Sequence, residues 1–132
     1  PVQARTLAEY LEKLNKDRQA LERQISQQAR EAVEANGYHD APAIVLGSPD
    51  WHQGVVGIVA SRLAEQYARP VLLVAERPDD APSTGSGRSV PGFPLHEALQ
   101  ACDATLVTHG GHAAAAGVKV RPSQLPCLRE AF

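Results

Sequence analysis

The first quarter of the chain has the hydrophobic pattern of one long amphipathic helix. Residues 5–36 contain no glycine or proline, and they hold six basic and six acidic residues. Apolar residues recur at spacings of four and three, and Arg18 and Gln28 interrupt the pattern with polar groups. The apolar positions are Leu7, Leu11, Leu14, Leu21, Ile25 and Ala32. Thr6 and Glu9 have the spacing of a capping box, and Asn36-Gly37 is typical of a helix end. We predict one helix of about 30 residues, roughly 45 Å long.

This helix has a single thin apolar stripe, which cannot form a core by itself. It therefore packs along its own domain, runs as a connector to another domain, or pairs with a second copy in a coiled coil. The coiled coil is disfavoured, because the segment spans few heptads and Arg18 and Gln28 put polar groups in the seam. We interpret residues 1–37 as a long connector helix and residues 38–132 as an α/β domain.

From residue 42 onward the pattern changes to short apolar runs that alternate with a helical period. Residues 43–46 form an apolar run between Pro42 and Gly47, and residues 71–74 form another directly after Pro70. Between them, residues 55–67 have a helical period, and the inward positions are Val55, Val59, Leu63 and either Tyr67 or Ile58. A strand, a helix and a strand at this spacing predict a βαβ unit with parallel strands.

The remaining pattern predicts shorter elements. Residues 77–87 are rich in Pro, Asp, Ser, Thr and Gly and are predicted to be a loop, followed by a short strand at 88–90. Residues 95–102 have a helical period, residues 118–120 alternate as in a half-exposed strand, and residues 125–132 fit a last helix. The predicted fold class is α/β: a small mixed β-sheet of about four or five strands, flanked by helices and preceded by the long N-terminal helix.

Composition narrows the classes of protein to consider. The chain has 132 residues, 43% of them hydrophobic, and a net charge of −2. Its overall charge therefore does not attract DNA or a membrane, and binding of a polyanion would require a local basic patch. Cys102 and Cys127 are too few for a disulfide framework and indicate reduced thiols in a cytosol. There is no long apolar run and no signal-peptide pattern. The chain starts at Pro1 and contains no methionine, so we expect an excised fragment.

The first candidate site is the stretch DWHQG at residues 50–54, directly before the predicted helix. Polar side chains and free N–H groups at a helix N-terminus favour an anion. The alternative is structural, with Asp50 as the N-cap and Trp51 packed in the core.

The second candidate is the stretch STGSGRS at residues 83–89. Its N–H groups, hydroxyls and arginine fit a phosphate, although the Gly-Lys-Ser/Thr ending of a P-loop is missing. A flexible hairpin loop explains the same composition.

The third candidate is the stretch THGGHAAAAG at residues 108–117. Gly110, Gly111 and His112 offer backbone N–H groups and an imidazole to a phosphate, and the alanines allow close packing against a neighbouring element. A metal site is the alternative, because His109 and His112 have a plausible ligand interval, but no further ligand lies close in sequence. We predict that Ser86 and Arg88 of the second stretch converge with Gly110, Gly111 and His112 of the third on one surface cleft.

The stretches stand in the order WHQGVVGIVASRLAEQYARPVLLV, GSGRSVPGFPLHEAL and HGGHAAAAG. In this order and spacing, residues 43–120 closely resemble the DHH-associated domain of the RecJ family, bacterial exonucleases that degrade single-stranded DNA in the 5′→3′ direction. The long helix resembles the connector between that family's two domains. Other branches of the DHH phosphoesterase superfamily share mainly the Gly-Gly-His element, so the first two stretches favour RecJ.

The resemblance implies a domain that holds the phosphate and sugar of a DNA strand opposite a catalytic domain. The matching residues are Ser86, Gly87, Arg88, Ser89, Gly110, Gly111 and His112. The secondary candidates are Trp51, His52 and Gln53, with Trp51 either stacked on a base or buried. No Asp-His-His occurs in the chain, so the resemblance implies no catalytic residue and no metal ligand here, and places Mn²⁺ or Mg²⁺ in the absent catalytic domain.

The same resemblance implies the wider role. The partners are single-stranded DNA and the DHH domain of the same polypeptide, with no membrane; the location is the bacterial cytoplasm, and the process is DNA repair and recombination. Phosphodiesterase activity would belong to the full-length protein, and the fragment alone is predicted to be inactive. The alternatives are a stand-alone nucleotide- or oligonucleotide-binding module, a part of another DHH-superfamily phosphodiesterase, and an interaction domain whose long helix docks a partner.

Overall fold

The computed structural model describes residues 2–132. It has a five-stranded mixed sheet with helices on both faces. The strand order is β1-β2-β3-β5-β4. The strands are β1 (Ile44–Ser48), β2 (Val71–Ala75), β3 (Ser83–Arg88), β4 (Thr108–Gly111) and β5 (Ala115–Val120). The helices are α1 (Val2–Asn36), α2 (Val56–Tyr67), α3 (Leu95–Ala101) and α4 (Leu125–Ala131). The predicted fold class is therefore confirmed.

The predicted βαβ unit is also confirmed. Strands β1 and β2 are parallel, with Ile44 opposite Val71, and every residue of β2 is buried. Of the two candidates for the last inward position of α2, Tyr67 packs against the core and Ile58 is exposed. A strand buried on both faces requires the continuous apolar run that the sequence shows.

Two hydrophobic clusters lie on opposite faces of the sheet. The side chains of Val71, Leu73 and Ala75 point to one face, where they pack with α1 and α2; we call this the α2 face. Leu72 and Val74 point to the other face, where they pack with α3 and α4; we call this the α3 face. This alternation follows from the two-residue period of a strand.

The predicted loop at 77–87 is right only for residues 77–82, and the predicted strand at 88–90 is misplaced, because residues 83–88 form β3 in the middle of the sheet. Gly85 and Gly87 are buried against large side chains of the α3 face, so a Cβ at Gly85 would come within 2.9 Å of Val74 and Val118. The tight packing leaves room only for small residues at these positions, although a segment rich in Gly and Ser is typical of a loop. Tertiary contacts override such local preferences.

Helix α1 is longer than predicted and divides into two halves. It begins at Val2, so Thr6 lies inside it, and the Thr6 hydroxyl donates to the Val2 carbonyl oxygen instead of forming a capping box. The first half is exposed along its apolar stripe. The second half packs on the α/β unit through the buried residues Glu22, Ile25, Ser26, Ala29 and Val33.

A buried carboxylate joins the two helices of the α2 face. Glu22 is only 5% exposed, and its side chain forms ion pairs with Arg62 of α2 at 3.2 Å and with Arg18 at 3.5 Å. The second half of α1 is thereby part of the same packing unit as α2. Both cysteines are free, and none of the helices in the described part of the chain is long and apolar enough to cross a membrane.

Candidate functional site

Strand β5 brings two of the candidate stretches together. It pairs with β3 on one side and with β4 on the other, both antiparallel. Gly117 of β5 stands opposite Ser86 of β3 and opposite Gly110 of β4, so these three residues form one row across the sheet. Segments that are more than 20 positions apart in sequence therefore meet on adjacent strands.

One part of the α2 face is not covered by a helix. Helix α2 packs over β2 and β3, while Thr108, Gly110, Gly117 and Lys119 on the same face are exposed. A Cβ at Gly110 or Gly117 would meet no atom within 4 Å. We call this surface, together with the half-buried residues of β3 that border it beside α2, the open face. Its residues are Thr84, Ser86, Arg88, Thr108, Gly110, Ala115, Gly117 and Lys119.

Arg88 projects from the end of β3 toward the start of α2. Its Nη1 donates a hydrogen bond to the Gly87 carbonyl oxygen at 2.8 Å, and its Nη2 would lie 2.9 Å from a Cβ placed on Gly57. The guanidinium group therefore fits beside α2 because Gly57 has no side chain. Ser86 lies beside it, with its Oγ 3.5 Å from the same Cβ position.

Gly57 is a residue that sequence reasoning missed. A glycine inside a helix costs about 1 kcal/mol relative to alanine, so its presence in the first turn of α2 requires a reason. The nearby Arg88 supplies that reason. The available signal was the second glycine in the run GVVG at residues 54–57.

The four residues predicted around Arg88 do not share one role. Gly87 is buried on the α3 face, where a Cβ would lie 3.0 Å from Leu95. The Ser89 hydroxyl donates to the Phe93 carbonyl oxygen at 2.8 Å and so stabilises the turn after β3. Ser86 and Arg88 are the two whose side chains belong to the open face.

The turn between β4 and β5 holds Gly111 and His112. Gly111 has φ +138°, and a Cβ there would lie 2.5 Å from the Ala115 carbonyl oxygen, so no other residue fits. The His112 N–H donates to that carbonyl oxygen at 2.9 Å, and its Nδ1 accepts the Ala114 N–H at 3.3 Å. This arrangement places the proton of a neutral imidazole on Nε2, which leaves an exposed donor.

The turn and Arg88 lie at the same end of the sheet. Ala115 pairs with Arg88, and the Ser89 N–H donates to the Ala114 carbonyl oxygen at 2.9 Å. A cleft of about 560 Å³ between this end of the sheet and α2 is lined by Arg88, Ala114 and Ala115, and also by Glu65 of α2. Of the five residues predicted to share one cleft, only Arg88 lines it, so the structure does not bring all five into a single cleft. His112 stands two residues away in the adjoining turn, and Gly110 and Gly111 line a separate cleft.

The stretch at 50–54 is mainly structural. Trp51 is 7% exposed and its Nε1–H donates to Gln28 Oε1 at 3.0 Å, so burial of the ring is confirmed. The predicted Asp50 cap is wrong, because the N-cap of α2 is Val55 and has no side-chain cap. His52 and Gln53 are exposed, and His52 Nδ1 accepts the Gly54 N–H at 3.0 Å.

His109 lies on the α3 face, away from the open face. Its Nε2 is 2.9 Å from the Asp103 carboxylate, and it lines a separate cleft with His96 and Glu97 of α3 and with Gly110 and Gly111. Within residues 2–132, no three His, Cys, Asp or Glu side chains are grouped so that they could hold a metal ion. The arrangement of His109 is that of a hydrogen-bonded pair.

Comparison with known proteins places this geometry in a family. The model of the DHHA1 domain matches residues 40–132. The single-stranded-DNA-specific exonuclease RecJ of Bacillus subtilis is 39% identical over 96% of this chain and 16% of its own length. RecJ of Escherichia coli is 34% identical over 98% of this chain and 24% of its own length.

Solved structures of RecJ have the same fold as this chain. A crystal structure of exonuclease RecJ bound to manganese matches with a TM-score of 0.85 and 34% identity, over 98% of this chain and 31% of that one. RecJ of Thermus thermophilus in complex with Mg²⁺ matches with a TM-score of 0.81 and 34% identity, over 98% of this chain and 20% of that one. The chain thus spans a quarter or less of the length of these curated relatives. It belongs to the DHHA1 domain family.

Proposed function

We propose that this chain is the DNA-gripping domain of a RecJ-like, metal-dependent 5′→3′ single-strand exonuclease that acts in DNA repair and recombination. The observation that carries the proposal is Arg88, whose guanidinium lies on the open face beside Ser86, at the same end of the sheet as the His112 turn. The relatives named for single-strand-specific exonuclease activity support the substrate class.

Each residue has a distinct part in the grip. Arg88 donates charge-assisted hydrogen bonds to a phosphate, and Ser86 adds a hydroxyl donor. Gly111 permits the turn that exposes His112, whose Nε2–H donates to a phosphate or sugar oxygen. The binding energy holds the strand in position for hydrolysis in another domain, which is how positioning contributes to catalysis.

Helix α1 extends the proposal to domain organisation. We assign residues 1–37 to a connector helix, whose second half packs on the gripping domain of residues 38–132. The exposed side chains of Leu7, Leu11 and Leu14 support this assignment, because they are an apolar stripe that the α/β unit leaves uncovered. In the full-length protein the stripe would pack against the catalytic DHH domain.

In this proposal the metal ions bind to the catalytic domain and not to this chain. Two of the solved relatives hold Mn²⁺ or Mg²⁺. The described residues of this chain do not fit such an ion, since no carboxylate and histidine group of the required size is present among them. The chain therefore supplies strand binding, and the metal ligands are assigned to the catalytic domain.

The test is binding of a fluorescent dT hexanucleotide across a salt series. We expect weak binding, on the order of 10⁻⁴ M or looser at physiological salt, because the net charge is −2. Arg88→Ala should weaken binding and reduce the salt slope by about one unit. Arg23→Ala is the matched control, since Arg23 is an exposed arginine on α1. Equal affinities for the two variants would refute the assignment of Arg88.

A further inference from the structure

The open face continues beyond the row of Ser86, Gly117 and Gly110. Two residues further along β5, Lys119 stands opposite Thr84 of β3 and opposite Thr108 of β4. Because side chains alternate along a strand, Lys119 projects from the same face as Ala115 and Gly117. Val118 and Val120 between and beyond them are buried on the α3 face, which confirms this orientation.

Lys119 is a cation with no internal partner in residues 2–132. It is exposed, and none of the ion pairs within this range includes it. It is also the only lysine after Lys16 in the whole sequence. The eight residues of the open face include two cations, Arg88 and Lys119, and no carboxylate, although the net charge of the chain is negative.

The surface between the two cations is flat. Gly110 and Gly117 lie side by side there, and a Cβ on either would meet open space. Glycine inside a strand costs about 0.5–1 kcal/mol relative to alanine, and packing does not require it at these two positions. A strand of nucleic acid can therefore lie close to the backbone along this path.

Arg88 and Lys119 are too far apart to contact the same phosphate. Ala115 is the partner of Arg88, and Lys119 follows it by four residues. The Cα atoms of Ala115 and Lys119 are therefore about 14 Å apart, at about 3.4 Å per residue. The Arg88 side chain reaches the row of Ser86, while Lys119 stands one row beyond it. This Cα distance is longer than the span between neighbouring phosphates of an extended strand, so the two cations suit phosphates that are not adjacent in the strand.

We propose that Lys119 binds a second phosphate of the DNA strand, so that the strand runs from Arg88 across Gly117 and Gly110 to Lys119. Thr84 and Thr108 flank the lysine with hydroxyl groups. This inference rests on the proposed function, and it adds a path for the strand and a contact that none of the predicted site residues included. Charge complementarity favours a polyanion on this face over an apolar partner.

The experiment compares Lys119→Gln with the unchanged chain on two ligands, thymidine monophosphate and a dT hexanucleotide. We expect Lys119→Gln to weaken hexanucleotide binding several-fold, to reduce its salt slope by about one unit, and to leave monophosphate binding unchanged. Lys119→Arg should retain hexanucleotide affinity. Lys13→Gln on the exposed half of α1 is the matched control and should have no effect.

The outcomes separate this inference from the proposed function. Unchanged hexanucleotide binding by Lys119→Gln, or an equal loss for both ligands, would overturn the second-phosphate contact while Arg88→Ala still weakens both. If Arg88→Ala weakens neither ligand, the proposed function itself fails. Thermal unfolding of each variant verifies that the fold is intact, as expected for an exposed strand position.

Discussion

Gly85 and Gly117 lie on adjacent strands, yet their surroundings differ completely. A Cβ on Gly85 would lie 2.8 Å from Val118 and 2.9 Å from Val74, whereas a Cβ on Gly117 would meet nothing. The first glycine is required by the packing of the α3 face. The second is not required by packing, and it keeps the backbone of the open face accessible.

This contrast predicts opposite effects for the same substitution. Gly117→Val should keep or raise the free energy of unfolding, because a β-branched residue favours a strand, and it should weaken binding of the dT hexanucleotide by blocking the open face. Gly85→Val should lower the free energy of unfolding by about 1–3 kcal/mol through overpacking. Urea denaturation and the binding titration measure both. Full hexanucleotide affinity in Gly117→Val would show that DNA does not use this surface.

Asp80 is the residue whose charge ties two segments together. Its Oδ1 accepts the Ser123 N–H at 2.8 Å and its Oδ2 accepts the Ser123 hydroxyl at 2.7 Å. These hydrogen bonds from Ser123 lower the pKa of the Asp80 carboxyl below its usual value of 3.8. The turn before β3 is thereby linked to the segment between β5 and α4.

The lowered pKa predicts a loss of stability in acid. A carboxyl whose pKa is lower in the folded state contributes stability above its unfolded pKa, and that contribution disappears as pH falls through the folded pKa. Asp80→Asn should therefore be less stable than the unchanged chain at pH 7, with the difference shrinking below about pH 4. Asp79→Asn is the matched control, since Asp79 also has positive φ and is exposed. A difference that does not vary with pH would contradict the assignment.

At the scale of elements, α1 joins two environments within one helix. Leu14 is 47% exposed and Ile25 is 1% exposed. Isolated helical segments are marginally stable in water, and tertiary packing supplies most of their stability. The half that packs on α2 should therefore behave as part of the domain, and the other half should not.

Hydrogen exchange tests this division of α1. Amides of residues 2–17 should exchange much faster than amides of residues 25–36, with the change near Leu21. Ile25→Ala should lower the free energy of unfolding by about 2–5 kcal/mol, while Leu14→Ala should change it by less than about 0.5 kcal/mol. Equal protection along the whole helix would instead indicate that the exposed stripe self-associates.

At the scale of the whole molecule, the sheet is unevenly covered. Strands β1, β2 and β3 have helices on both faces, whereas β4 and β5 are covered mainly on the α3 face. The uncovered corner carries Lys119, has Arg88 at its border beside α2, and adjoins the His112 turn. This uneven cover leaves one side of the sheet accessible beside its two cations.

The whole-molecule prediction is that this chain binds single-stranded DNA without hydrolysing it. The described residues do not include the cluster of carboxylates and histidines that metal-assisted phosphodiester hydrolysis requires. The assay incubates a labelled single-stranded oligonucleotide with the chain and Mn²⁺, with a full-length RecJ relative as the positive control. Turnover that copurifies with the chain through several columns would overturn the division of roles.

Local pattern was sufficient for much of this fold. The apolar runs of β1 and β2, the period of α2 and the absence of glycine and proline in α1 each depend on residues close in sequence, and all four elements lie where the pattern predicts them. The three stretches that resemble RecJ also indicate the family without the sheet, because residue types at fixed spacing carry that information.

Tertiary structure alone decided the rest, because it depends on contacts between residues far apart in sequence. The small residues of β3 have the composition of a loop, and only Val74, Val118 and Leu95 packed against them make that segment a central strand. Strand order places β5 between β3 and β4, and so creates the open face from three separate segments. Whether a glycine makes room for a core side chain, for Arg88 or for a ligand is a property of what surrounds it in space.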